Sequence, residues 1–174
     1  MIVCAGKSES FDFATPIGVG LVESAINLTE ILCKKMPNRI IFIGSAGLYK
    51  EGNLFEIFES QNAANIEISL LDAKSYVPVP QEIFNDVSHE TFINSSNFIT
   101  KDEISAHKLF NLGAYAENME FFSVLSVAKK FQIPARGIFI ATNFCNENAH
   151  KDFITNHALA KDILCEYLEH KGII

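Results

Sequence analysis

Two polar residues, Glu120 and Asn143, lie at opposite ends of a segment that otherwise has the pattern of a core helix followed by a buried strand. The segment reads NMEFFSVLSVAKKFQIPARGIFIATN and covers residues 118–143. A carboxylate accepts hydrogen bonds, and an asparagine amide both donates and accepts them. If both ends of this unit open onto one pocket, Glu120 and Asn143 would hold one ligand between them.

The elements that must position these two residues are predicted from the hydrophobic pattern. Short apolar runs predict strands at residues 1–5, 40–43, 113–116 and 138–141. Helical spacing predicts helices over residues 22–32, 119–131 and 152–170. The strand at 40–43 is expected to end in a Gly-Ser-Ala-Gly loop at residues 44–47. Isoleucines and leucines at 57–70, and the segment TFINSSNFIT at 91–100, indicate further strands.

The alternation of strands and helices predicts an α/β fold of three layers, in which helices flank a central mixed β-sheet. The length of 174 residues is typical of one domain, so we expect residues 1–174 to form a single domain. In such sheets ligands bind outside the carboxyl ends of strands. Ser45, Ser96 and Asn143 fall at predicted strand ends, which places them around one crevice.

The composition argues against several classes of partner. The net charge is −7, and no run of Lys or Arg is present to neutralise a phosphate backbone, so we expect no nucleic-acid partner. The first apolar run is too short for a membrane span or a signal-peptide core, which predicts a cytoplasmic protein without a membrane partner. The four cysteines lack C-x-x-C spacing and are predicted to be buried thiols, and we expect no metal site.

Four stretches together resemble the nucleoside phosphorylase and nucleosidase superfamily, whose members cleave the N-glycosidic bond of nucleosides. These stretches are IGVGLVESA, IIFIGSAGL, INSSNF and the unit at residues 118–143. The resemblance is strongest at the Gly-Ser-Ala-Gly sequence and at Met119-Glu120, which is followed at the family spacing by Thr142-Asn143. It implies the superfamily fold, a small-molecule purine nucleoside as substrate, and a homodimer or higher homo-oligomer. It implies no cofactor, with inorganic phosphate as a possible co-substrate.

The resemblance also implies roles for individual residues. Glu120 would bind the 2′ and 3′ hydroxyls of the ribose as the sugar gains positive charge, and Met119 would pack against the sugar. Asn143 would hydrogen-bond the departing base, and Phe98 would stack on it. The expected substrate-binding set is completed by Asn118 and Thr142.

Asn143 departs from the aspartate that many relatives carry at this position. An asparagine amide forms hydrogen bonds but cannot act as a general acid. The trimeric purine nucleoside phosphorylases, which prefer 6-oxopurines, end this strand in Thr-Asn as this chain does. That resemblance favours inosine or guanosine over adenosine.

The acceptor of the sugar is left open between phosphate and water. Many family phosphorylases carry an arginine where this chain has Phe42, so the expected phosphate site relies on backbone amides, a hydroxyl and one lysine. Its candidates are Gly18, Gly44, Ser45 and Lys7. Hydrolytic members instead activate water with a glutamate of an early loop, for which Glu9 is the candidate. We predict a purine nucleoside phosphorylase-like enzyme that releases free base and ribose 1-phosphate. The alternative is a nucleosidase that hydrolyses methylthioadenosine- or futalosine-type nucleosides.

A binding protein without turnover is a further alternative. It is supported by Phe42 and Asn143, by the shortened amino-terminal region, and by the bulky Phe121-Phe122 pair that follows Glu120. Small residues are usual at this pair in the superfamily. The larger rings are expected to narrow the pocket.

Overall fold

The computed structural model describes residues 1–85 and 92–174, and in these residues it shows an α/β fold with one mixed nine-stranded sheet and five helices. The strands are β1 (Ile2–Cys4), β2 (Thr15–Pro16), β3 (Ile40–Leu48), β4 (Ile57–Ser60), β5 (Asn62–Ala64), β6 (Glu82–Phe84), β7 (Phe92–Asn94), β8 (Ala114–Glu117) and β9 (Ala135–Phe144). The helices are α1 (Leu21–Lys34), α2 (Ile68–Leu71), α3 (Glu103–Asn111), α4 (Phe121–Phe131) and α5 (Ala149–His170).

Strand β3 is the centre of the sheet. Along one edge it pairs in parallel with β9 over its whole length, with one β-bulge after Ala46. Its other edge is shared by two strands. Strand β1 pairs with it in parallel beside Ile41, and β8 pairs with it antiparallel beside Gly47 and Leu48. Ser45 therefore lies in the gap between the part of this edge that pairs with β1 and the part that pairs with β8. We call this gap at Ser45 the fork.

The two faces of the sheet are covered by different helices. Residues of α1 and α4 pack with Phe42, Phe121 and Phe139 in one core, and α5 packs with Ile43 and other β-branched residues in a second. The three phenylalanine rings are mutually in contact, with centroids 5.0 to 6.1 Å apart. Gly137 makes room for them, because a Cβ there would lie 2.3 Å from the Phe139 ring.

The structure confirms the predicted fold class and most of the predicted elements. Strands β1, β3, β8 and β9 and helices α1, α4 and α5 lie where the hydrophobic pattern placed them. The predicted loop at residues 44–47 is wrong, since β3 continues to Leu48 because β9 supplies a hydrogen-bonding partner along its length. The strand expected near Ile68 is also wrong, because Ile68–Leu71 is a helical turn.

Some elements were not expected from the sequence. They include α3, which begins after Asp102, and the short strands β2 and β6. The Asp102 side chain accepts a hydrogen bond from the Ser105 amide at 2.8 Å and caps the helix. Of the predicted strand at 91–100, Phe92–Asn94 forms β7, while Thr91 lies outside the described residues.

The cysteines match the prediction only in part. Cys4 and Cys145 are buried, Cys165 is partly buried, and Cys33 is exposed on α1. Within residues 1–85 and 92–174, no group of His, Cys, Asp and Glu is arranged to hold a metal ion. No helix in this part of the chain has the length and apolar character needed to cross a membrane.

Candidate active site

A cavity of about 280 Å³ opens at the fork. Its volume is close to the lower end of the range for small-molecule pockets, about 300–1,000 Å³. The carboxyl half of β3, the loops after β1 and β7, and the β8–α4 connection contribute to its wall, and the first turn of α5 closes one side. Its polar lining includes Lys7, Glu9, Ser45, Ser96, Glu117, Asn118, Glu120, Asn143 and His150.

Glu9 is held in the fork by both donors of Ser45. The Glu9 Oε1 atom accepts hydrogen bonds from the Ser45 amide at 2.8 Å and from the Ser45 hydroxyl at 2.6 Å. The amide is available for this contact because, among the described residues, β1 and β8 pair with this edge of β3 only on either side of Ser45. The sheet thus presents two convergent donors at the cavity, and a carboxylate of the same chain occupies them.

The loop that carries Glu9 is anchored to α5. His157 Nε2 is 2.8 Å from the Ser8 carbonyl oxygen, and Lys161 Nζ donates to the Ser10 carbonyl at 2.7 Å. The Lys161 ammonium also lies 5.0 Å from the centre of the Phe11 ring. These contacts on both sides of Glu9 fix its position relative to the sheet.

Glu120 is a second carboxyl at the cavity, and it is only 2% exposed. Its Oε1 atom accepts a hydrogen bond from the Gly20 amide at 2.8 Å, at the start of α1. Burial raises the pKa of Glu120 to about 8, an effect that the Gly20 amide opposes and the nearby charge of Glu9 reinforces. Such a raised pKa in a cavity is typical of functional carboxyls.

Asn118 positions Glu120 rather than presenting its own side chain freely to a ligand. Its Oδ1 atom accepts from the amides of Glu120 and Phe121 at 2.9 and 3.0 Å, which caps the start of α4. Its Nδ2 atom donates to the Ser45 carbonyl oxygen at 3.1 Å. Asn118 therefore ties the fork to the helix that begins at Glu120, although it also lines the cavity.

Asn143 lies at the bulged end of β9 and is 7% exposed. Its Oδ1 atom accepts the Thr142 hydroxyl at 2.9 Å, and its Nδ2 atom donates to the Phe144 carbonyl at 3.2 Å. Since the oxygen is occupied and Nδ2 carries two protons, the amide offers an N–H to the cavity. Thr142 is 1% exposed and does not line the cavity, so it is linked to the cavity through its hydrogen bond to Asn143.

The sequence did not single out Glu117, which also lines the cavity. Its Oε1 atom accepts from the Thr100 amide at 2.9 Å, and its Oε2 atom accepts from the Tyr49 hydroxyl at 3.1 Å. Burial raises the pKa of Glu117, and these two donors oppose that rise. The alternation of buried alanines at 114 and 116 with Glu117 was the available signal, but it is also the pattern of an ordinary half-exposed strand.

The predicted phosphate site is largely occupied by the protein itself. At the start of α1, the amides of Val19, Gly20 and Leu21 donate to side chains of Glu23, Glu120 and Asn97 respectively. The structure does not bring Gly18 or Gly44 to the cavity, and Gly44 lies inside the β3–β9 ladder. Ser45 is bound to Glu9, whereas Lys7 is an exposed residue of the cavity lining.

The remaining predicted residues lie at the rim and wall. Met119 lines the cavity next to Glu120, and Phe98 lines it while staying 73% exposed. The expectation that Phe121 and Phe122 narrow the pocket is wrong, because neither lines it and both pack into the α1–α4 core. Phe42 is fully buried in the same core, so it takes no part in anion binding.

The architecture is the nucleoside phosphorylase and nucleosidase superfamily fold. Similar solved structures include a 5′-methylthioadenosine/S-adenosylhomocysteine nucleosidase from Helicobacter pylori, with 17% identity, 90% of this chain and 77% of that chain covered, and a TM-score of 0.75. A futalosine hydrolase mutant of H. pylori has 14% identity, 97% of each chain covered and a TM-score of 0.76.

A third similar structure is the corresponding nucleosidase from S. pneumoniae, with a transition-state inhibitor, at 14% identity and a TM-score of 0.77. It covers 96% of this chain and 95% of that chain. No protein-family model and no curated protein matches the sequence. At these identities the likeness establishes the fold.

Proposed function

We propose that the protein is a nucleosidase, which hydrolyses the N-glycosidic bond of a purine nucleoside to free base and ribose. The observation that carries this proposal is the carboxylate of Glu9 on both donors of Ser45, beside the buried carboxyl of Glu120. Phosphorolysis would need those donors for an anion, and a carboxylate in the same place repels phosphate. Hydrolysis would instead use that carboxylate as the base that activates a water molecule. The proposal also agrees with the hydrolytic activities named for the similar structures.

In the proposed reaction Glu9 takes a proton from a water molecule, whose oxygen attacks C1′ of the ribose. The C1′–N bond breaks, and its electron pair leaves with the base. An N–H of Asn143 stabilises the negative charge that develops on the base. The base takes a proton from a second water molecule and leaves as a neutral molecule, and Glu9 returns its proton to the hydroxide that remains, which restores both the carboxylate and this water. The reaction consumes one water molecule and requires no cofactor.

Glu120 supplies the stabilisation of the sugar in this mechanism. Its carboxyl would accept hydrogen bonds from the ribose hydroxyls as positive charge develops on the ring. The raised pKa of about 8 means that the free protein holds a proton on Glu120 at neutral pH. Hydrogen bonds from the sugar and the positive charge of the transition state both favour the ionised form, so the carboxylate binds the transition state better than the ground state.

We also propose that the protein acts as a homo-oligomer. Phe98 and Ile99, at the rim of the cavity, are 73% and 47% exposed, which leaves an apolar surface next to the sugar and base positions. A second copy would cover this surface. Light scattering coupled to size exclusion would give a dimer or larger species if this is right, and a monomer at micromolar concentration would contradict it.

The proposal is tested by base release from inosine, guanosine, adenosine and methylthioadenosine, each with and without inorganic phosphate. We expect release without phosphate, with the free sugar as the second product. Release that requires phosphate and yields the sugar 1-phosphate would contradict hydrolysis and restore the phosphorylase prediction. A nucleoside that raises the melting temperature but is never cleaved would instead indicate a binding protein.

A further inference from the structure

A surface depression lies at the amino ends of β3 and β9, at the end of these strands opposite the candidate active site. Its volume is about 520 Å³. This is within the range of about 300–1,000 Å³ that is typical of small-molecule pockets. Its lining includes the apolar side chains of Ile40, Leu125, Ala128 and Ile133. The depression and the candidate active site have no lining residue in common, so they are separate openings.

Three cationic side chains line the depression, and its described lining contains no carboxyl. Arg39 directly precedes β3, Lys129 lies in the last turn of α4, and Arg136 belongs to β9. The lining also contains three amide side chains, which are Gln61, Asn85 and Gln132. Since the whole chain has a net charge of −7, the positive lining is a local feature of this opening.

The end of α4 brings two of these cations to the same opening. The helix ends at Gln132, whose φ of 58° lies in the left-handed region. The chain then passes through Pro134, whose carbonyl oxygen accepts a hydrogen bond from the Ile40 amide at 2.9 Å. Because Arg39 directly precedes Ile40, it lies beside the segment that leaves α4 after Lys129.

The positive charge of the depression is only partly neutralised by the protein. Neither Arg39 nor Lys129 forms an ion pair with another described residue. Arg136 Nη1 donates to Glu59 Oε2 at 2.9 Å, and the guanidinium has further N–H donors. Three cations and one carboxylate thus leave about two positive charges. A lysine in the last turn of a helix complements the partial negative charge there, which accounts for Lys129 but for neither arginine.

We propose that the depression binds a phosphate monoester that has an apolar body. A phosphate monoester carries about 1.5 to 2 negative charges at pH 7, which matches the charge of the site, whereas a carboxylate carries one. The planar guanidinium groups of Arg39 and Arg136 each suit two phosphate oxygens. The apolar side chains of the lining would contact the body of the ligand, and the amides would hydrogen-bond its polar edge.

The first test is calorimetry of the unmodified protein with naphthyl phosphate, naphthol and inorganic phosphate. None of these compounds has a glycosidic bond, so the proposed nucleosidase activity cannot consume them. We expect naphthyl phosphate to bind at least about tenfold more tightly than the other two, because naphthol lacks the charge and inorganic phosphate lacks the apolar body. Absence of naphthyl phosphate binding, or equally tight binding of either partial ligand, would overturn the proposal.

The second test locates the ligand with Arg39→Gln and Lys129→Gln. Both side chains are exposed, so the fold should be retained. We expect each variant to bind naphthyl phosphate about three- to tenfold more weakly, since solvent screens part of the interaction. Lys7→Gln removes an exposed charge from the candidate active site and is the matched control. Binding that is weakened by Lys7→Gln but by neither of the other variants would overturn the proposal.

The third test distinguishes the possible sources of the phosphate. Adenosine 5′-monophosphate and ribose 5-phosphate are each used to displace naphthyl phosphate. Displacement by the nucleotide at lower concentration than by the sugar phosphate would assign the site to nucleotides. Displacement by neither, with binding still dependent on Arg39, would restrict it to aryl phosphates. Equal displacement by both would overturn the role of the apolar body. These outcomes do not depend on whether the protein cleaves nucleosides.

Discussion

The openings at the two ends of the paired strands β3 and β9 are lined by different kinds of side chains. At the amino ends lies a surface depression of about 520 Å³, lined by Arg39, Lys129 and Arg136 among other residues, and its described lining contains no carboxyl. At the carboxyl ends lies the smaller cavity, with Glu9, Glu117 and Glu120 in its wall. The larger opening is therefore the less suitable candidate for a catalytic site. The carboxyl groups in the wall of the smaller cavity, and not the volume of the opening, identify the carboxyl ends of the strands as the candidate site.

The same contrast exists within β3 itself. Phe42, in its first half, is buried among the rings of Phe121 and Phe139. Ser45, in its second half, has an amide without a strand partner and binds Glu9. One half of the strand stabilises the fold, and the other half exposes backbone donors at a fork. Substitutions in the two halves should accordingly affect different properties.

The largest effect is expected from Glu120→Gln. The amide keeps the size of the side chain but cannot provide a negative charge for the developing positive charge of the sugar. We expect turnover to fall about 100- to 10,000-fold, with the folded structure retained. The rate of base release is compared with that of Glu30→Gln, an exposed control on α1. A variant that cleaves nucleosides as fast as the parent would remove Glu120 from the mechanism.

Phe139→Ala should show the reverse behaviour. The side chain is fully buried and contacts Phe42, Phe58 and Phe121. We expect the free energy of unfolding to fall by about 3–5 kcal/mol, as measured by urea denaturation. The fraction that remains folded should keep its KM. A changed KM without a change in the free energy of unfolding would contradict the separation of a stabilising core from the candidate site at the carboxyl ends of β3 and β9.

The stability of the protein should depend on pH through Glu120. Its pKa is raised from the ordinary value of 4.5 to about 8 in the folded state, so the folded protein binds a proton that the unfolded chain has released over that interval. The stabilisation is complete below pH 4.5 and is lost as the pH rises toward 8. Between pH 4.5 and 8, the free energy of unfolding of the parent should fall by a few kcal/mol relative to that of Glu120→Gln. Parallel stability curves for the two proteins would show that Glu120 is not buried as described.

Thr142→Val should have a smaller effect. Valine has nearly the same shape but cannot hold Asn143 Oδ1, so the amide would lose the contact that fixes its orientation. We expect kcat to fall about tenfold, the value of one hydrogen bond, with little change in the melting temperature. An unchanged kcat would show that Asn143 is oriented by its contact with Phe144 alone.

The sequence predicted the long apolar elements well because their patterns are local. Residues 40–43 and 138–141 lie in β3 and β9, and the helix predicted over 119–131 is observed as α4 from Phe121 to Phe131. The Gly-Ser-Ala-Gly sequence predicted a loop because glycine and serine have low strand propensity, and pairing with β9 overrides that preference.

The candidate site was predictable only in part. Glu120, Asn143 and Glu9 were predicted from the resemblance to the superfamily, and the cavity brings them together. Glu117 was not found, because its place beside Gly47 depends on the antiparallel pairing of β8 with β3. The occupied amides at the start of α1 were hidden for the same reason, since Glu120 and Asn97 are distant in sequence from Gly20 and Leu21.

The most direct test of the account is the turnover of Glu9→Gln, measured against Glu30→Gln in the absence of phosphate. We predict a loss of about 100- to 10,000-fold in kcat, with nucleoside binding retained, because the amide still accepts from Ser45 but cannot take a proton from water. Turnover equal to that of the parent would contradict the account. It would mean that the carboxylate in the fork only ties the amino-terminal loop to the sheet.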